Sequence, residues 1–168
     1  RGGARTYVDA VLRMLPTSDV HLGCSVTEVA RDEAGATVVA GGETRRFDAV
    51  VLACHADQAL ALLKDPSDAE HDALGAIRYA PNHVALHTDE SVLPRREWAR
   101  AAWNYHYAGA PGMPETLTMS YDLNRLQGME RAARYCVSVN PHGRVAPDRV
   151  IAAFDYAHPT FSERALRG

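Results

Sequence analysis

The chain has 168 residues, 46% of them apolar and 23% charged, with a formal net charge of −3. That balance suits an ordinary globular protein with a real core and excludes a basic surface for nucleic acid or an anionic membrane. No run of about 18 apolar residues occurs, so no membrane span is expected; three widely spaced cysteines without a CxxC pair fit a reduced, cytoplasmic protein with no zinc site.

In chain order, Gly2-Gly3 opens a turn, and "ARTYVDAVLRML" carries Tyr7, Val8, Val11, Leu12 and Leu15 at helical spacing up to Pro16. "VHLGCSVTEVARDEAG" reads as a strand, and "ATVVAGGETRRFDAVVLA" as two more joined by a hairpin at Gly41-Gly42. Its last run, Ala49 to Ala53, is apolar without alternation, which predicts a strand buried on both faces as in a parallel sheet. A helix "ADQALALL" follows, and Ser67 with Glu70 forms a capping box for the next one. Beyond a boundary near Lys64-Asp65-Pro66, four runs of similar length ("NHVALHTD", "RAAWNYHY", "ETLTMSYD", "RYCVSVNP") predict an antiparallel sheet with one buried face. Asp122 is placed to cap a short helix at "LNRLQGM". The tail predicts a helix around Val150 and the start of another after Ser162.

The candidate chemistry is sparse. His83 and His87 are four apart, but on a strand that spacing puts them about 13 Å from each other, too far to share a metal. Cys54 and His55 are adjacent, and neighbours on a strand face opposite sides, which argues for a strand end entering a turn rather than a nucleophile and base. Trp103, Tyr105 and Tyr107 share one strand face, with Asn104 and His106 on the other; the aromatics read either as a core stripe or as the wall of a ligand cavity. No GxGxxG, GxxxxGK[ST] or GxSxG occurs.

The order of "GGARTYVDAVLRML", "VHLGCSVTEVARDEAG", "ATVVAGGETRRFDAVVLA" and "CHADQALALL" resembles the middle of the flavin-containing amine oxidase superfamily. "VLPRR", "AWNYH", "LTMSYDLNRLQG", "VSVNP" and "DYAHPTF" extend the likeness to one bacterial branch, the predicted NAD/FAD-binding proteins of that superfamily. The resemblance implies an α/β plus α+β fold. Residues 1–64 would be part of a Rossmann-type FAD-binding domain with a β-meander, and residues 65–168 an incomplete antiparallel-sheet substrate domain. It implies FAD contacts by the backbone of Val26 and at the strand end Ala53-Cys54, where open α/β sheets bind ligands. It implies hydride removal to the flavin in oxidation of a C–N or C–C bond, and a substrate domain there gives the aromatic-wall reading of Trp103, Tyr105 and Tyr107 the sense of a substrate cavity. The lysine that many amine oxidases hold near the flavin has no match, since this region offers Arg95 and Arg96 and the lone lysine is Lys64. The branch is often encoded near cyclopropane fatty acid synthases, which points to a small, lipid-like substrate. The chain is expected to be an internal piece of a longer enzyme, inactive and nearly empty of FAD by itself, that self-associates through an exposed sheet edge. The alternative is a non-catalytic α+β module binding a ligand or protein.

Overall fold

The structure is a computed structural model that describes residues 3–15, 20–108, 116–130, 132–160, 162, 163 and 165. Among these it contains four α-helices and two antiparallel sheets, in a mixed α/β chain. The chain separates into two compact units: Arg1–Met14 with Pro81–His158, and Leu15–Ala80 with Pro159–Gly168. Residues 65–80 thus pack with residues 15–64, beyond the composition change at Pro66.

The unit of Leu15–Ala80 is built on a three-stranded meander, β1 (Val26–Asp32), β2 (Gly35–Ala40) and β3 (Glu43–Phe47), in that order. Gly41 and Gly42 both take positive φ between β2 and β3, the backbone that this hairpin turn needs. Val29 and Ala36 are the buried centre of the meander. Helices α2 (Ala56–Leu62) and α3 (Asp68–Ala76) follow, and Lys64 N–H donates to Val29 C=O (3.0 Å), tying the end of α2 to β1.

Helix α3 begins as its sequence predicts. Ser67 Oγ accepts from Glu70 N–H, and Glu70 Oε2 accepts from Ser67 N–H (2.9 Å). Glu70 also accepts from the Arg31 guanidinium of β1 (3.0 Å), and that hydrogen bond, with those from Ser67, pulls its carboxyl pKa down to about 2.

The apolar run Ala49–Ala53 is not a strand, contrary to its sequence. Val50 and Leu52 turn toward α2 and α3, whereas Val51 is 89% exposed. The run keeps the alternation of a strand, but no described strand pairs with it, and a strand without a ladder partner has nothing to hold its backbone groups.

The other unit holds α1 (Gly3–Met14) and most of a five-stranded sheet: β4 (Arg78–His87), β5 (Trp103–Ala108), β6 (Thr116–Asp122), β7 (Cys136–Val139) and β8 (Val150–Thr160). The spatial order is β5-β6-β7-β4-β8. Helix α4 (Leu123–Gln127) is capped by Asp122, whose Oδ1 accepts from Arg125 N–H (3.2 Å), and it ends on Gly128 in the left-handed region.

The helix expected around Val150 is replaced by β8, an edge strand whose pairing with distant β4 overrides local spacing. Pro159 lies inside it, which an edge strand tolerates because one row of N–H groups has no ladder to serve. The helix expected after Ser162 falls largely outside the described residues, though Ser162 Oγ does accept from Ala165 N–H (3.2 Å). Pro16 lies outside them as well.

Candidate functional site

Directly paired residues of a sheet share a face, so the registers of β4 to β7 sort their side chains into two layers. On one face, Trp103, Tyr121, Val137 and Leu86 form a row across four strands, and Tyr105, Met119, Val139 and Val84 form the next. Tyr107 and Leu117 begin a third. Trp103 and Tyr121 meet edge to face at 5.6 Å. On β8, Phe154 and Tyr156 stack with ring centroids 5.8 Å apart.

The other face is polar. Asn104, Ser120 and Ser138 form one row, and Asp122, Cys136 and His87 another. All six are buried, and Val92, Leu93 and Val145 from the connecting loops cover them.

Each buried polar group on that face is matched. Asp89 N–H donates to His87 Nδ1 (3.1 Å), so the ring proton sits on Nε2, which donates to Ser138 Oγ (2.9 Å). Ser138 and Ser120 hydroxyls then bond at 2.7 Å. Asn104 Nδ2 donates to Ala101 C=O (2.8 Å) while its Oδ1 accepts from Ala101 N–H (3.1 Å), and His106 Nε2–H donates to Val92 C=O. Asp122 is paired with Arg134, which also reaches Glu90 at 3.4 Å. Among the described residues no buried side-chain nitrogen or oxygen lacks a partner. Burial holds the His87 imidazole below its ordinary pKa, against the pull of the Asp89 carboxylate, and pushes the Cys136 thiol up to about 11. His87 therefore faces Ser138 as a donor and cannot act as its base.

The sheet is thus inverted relative to the usual soluble pattern, with its polar layer inside and its aromatic layer open. Trp103, Tyr105 and Tyr107 are 55%, 59% and 63% exposed, so they form no core within this chain. The sequence isolated these three but missed Met119, Tyr121, Val137 and Val139 on the same face. Alternation in "LTMSYD" and "CVSVNP" is the signal that finds them.

In the other unit, Val26 borders a cleft of about 530 Å³ whose wall includes Val38, Ala40, Cys24, Arg45 and His21. Arg45 and His21 contact each other at 2.8 Å. Ser25 C=O accepts from Gly41 N–H (3.3 Å), so the backbone of residue 25 points toward β2. Ala53 and Cys54 are exposed just ahead of α2. His55 stacks on Tyr79 at 4.3 Å, and the Tyr79 hydroxyl accepts from Ala56 N–H (2.8 Å). Cys54 and His55 therefore do not act on each other. His83 contacts Asp155 (3.0 Å) rather than His87.

A family model of flavin-containing amine oxidoreductases matches residues 1–145. The chain belongs to that family. No curated protein matches it. Membership makes the chain part of a flavin-dependent oxidoreductase lineage, and a flavin is the cofactor that this family implies. The groups this unit offers a cofactor are the backbone N–H and C=O of Val26 at the start of β1. Among the described residues no helix is long and apolar enough to cross a membrane.

Proposed function

We propose that this chain contributes to an FAD-dependent oxidoreductase that oxidises a C–N or C–C single bond of a small apolar substrate to a double bond, a hydride leaving one carbon for the flavin and a proton leaving the neighbouring nitrogen or carbon for solvent. The unit around β1 serves the cofactor, and the five-stranded sheet serves the substrate. The meander with the extended run 49–53 and helix α2 corresponds, on this reading, to part of a Rossmann-type domain.

Strand alternation carries the cofactor assignment. With residue 25 directed at β2, the backbone of Val26 turns to the opposite edge; the β-bulge between Val26 and Glu28 then resets the alternation, so the Val29 carbonyl also points off β2 and accepts from Lys64. Val26 N–H and C=O then contact adenine, and Ala53-Cys54, at the end of the extended run ahead of α2, lie where the nucleotide continues. Bound flavin supplies the electron sink for the hydride. The protein's own share is to orient the substrate and keep water from it. Trp103, Tyr105 and Tyr107, with the rows behind them, provide a flat, water-shedding wall.

The observation that carries the proposal is the inverted sheet. A protein that buries and satisfies Asn104, Asp122, Ser138 and His87 while leaving Trp103, Tyr105 and Tyr107 exposed on the opposite face has a use for that face. The test is the visible absorption of the protein purified with its complete reading frame, followed by identification of the chromophore released on denaturation. Bound FAD is the expected result. A colourless protein that takes up no added FAD overturns the reading.

A further inference from the structure

We infer that the molecule accepted by the open sheet face is uncharged: an elongated apolar or π-rich compound rather than an amine or a carboxylate. This rests on the reading of that face as the substrate wall and narrows it.

The ten paired positions of β4 to β7 on this side hold only aliphatic, aromatic and thioether side chains. None is a carboxylate, an ammonium or a guanidinium. A charged group laid against them would lose its hydration and gain no partner, which is strongly unfavourable. The same four strands do carry charge, and they carry it elsewhere: Asp122 and His87 face the other layer, where each is fully bonded. The neutrality of the open face is therefore not a poverty of polar residues in these strands but a sorting of them.

The dimensions add shape. The first row crosses four strands, three steps of about 4.8 Å, and so runs about 14 Å; in the second, Val84 is buried, which leaves three strands and about 10 Å; adjacent rows are about 7 Å apart along the strands. This suits a long or flat molecule better than a compact one. Trp103, Tyr105, Tyr107 and Tyr121 offer ring faces and edges to a π-system. The phenol hydroxyls of Tyr105 and Tyr121 are uncharged handles for a neutral oxygen, such as an alcohol or a carbonyl.

Three probes of equal chain length test this: dodecan-1-ol, dodecylamine and dodecanoate, added to the full chain at pH 7 below their micelle concentrations. Trp98 and Trp103 are the two tryptophans of the sequence, so a Trp98→Phe background leaves Trp103 to report binding through its emission. Dodecan-1-ol is expected to bind about ten-fold or more tightly than either charged probe. In Tyr105→Glu, which sets one carboxylate on the exposed second row, the order should turn in favour of dodecylamine. Equal or tighter binding of the amine or the carboxylate by the parent protein overturns the neutral-substrate inference while leaving the wall reading in place. If no probe moves Trp103 emission, the wall reading itself fails, and the inference with it.

Discussion

Val26 concentrates the cofactor assignment in one peptide unit. If its N–H and C=O meet adenine, the side chain is immaterial, and Val26→Ala should leave FAD affinity of the complete protein within about two-fold. Val26→Pro deletes the donor, a hydrogen bond worth roughly 1 kcal/mol net, so a loss of at least about five-fold is expected. The fold should tolerate proline there because that N–H points off the ladder. Flavin fluorescence titration decides it: similar affinities for both variants, with intact circular dichroism, would remove Val26 from the site. His87 yields a different kind of prediction. Its folded pKa lies below the ordinary 6.5 because burial disfavours the charged ring. Well above that value the ring is neutral in both the folded and unfolded chain, and its contribution is fully present. As pH falls through 6.5 the unfolded chain takes up a proton that the buried ring resists, so stability drops. His87→Gln has an amide that does not titrate, and its Tm should fall less between pH 7 and pH 5 than that of the parent. Parallel Tm profiles for the two proteins would show that His87 is not the sensor.

The elements were legible where local chemistry and final pairing agree. Runs of alternating residues became β4 to β7, Gly41-Gly42 became a hairpin, and Ser67 with Glu70 and Asp122 became working caps. They were misread where pairing decides. "VIAAFDYAH" has helical spacing but lies along β4 as an edge strand, and Ala49–Ala53 has the composition of a buried strand but no neighbour to pair with. Alternation marked the two faces of β5 but could not tell which one is buried. That depends on the loop between β4 and β5 folding over Cys136 with Val92 and Leu93 and supplying Ala101 to Asn104 and the Val92 carbonyl to His106, a long-range event with no local signature. The FAD and substrate roles of individual residues came from family likeness, since backbone contacts leave no side-chain signature. One element can be tested directly. Gly35 opens β2 at φ +141°, and a Cβ placed there would lie 2.4 Å from the Phe47 carbonyl oxygen. Gly35→Ala must push β3 away from β2 or abandon that backbone angle, at a cost on the order of 2 kcal/mol. Denaturant unfolding measures it, and a variant as stable as the parent would mean that the end of β3 is not held against β2.

At the scale of the whole molecule, the proposed reading brings only the Val26 backbone to adenine, and the 168 residues hold no GxGxxG turn to grip a pyrophosphate. The turn and the helix start behind it are what give dinucleotides their strongest hold, through several backbone N–H groups at once. One or two hydrogen bonds at Val26, at roughly 1 kcal/mol each, fall far short of the 8 kcal/mol or so that micromolar binding needs. FAD titrated into the 168-residue chain should therefore bind weakly, and tight stoichiometric binding would place the cofactor elsewhere. The same chain presents the extended run Ala49–Ala53, with Val51 outward, as an apolar edge. Such an edge invites pairing with a second copy. Light scattering is expected to show association that grows with concentration. Because Val51 is exposed, Val51→Lys should leave the fold intact while placing a charge on that edge, and the association should then disappear. If the lysine variant still associates, the contact lies on another surface, the aromatic face of the sheet being the next to substitute; if the parent chain stays monomeric at every concentration, the edge is not a contact at all.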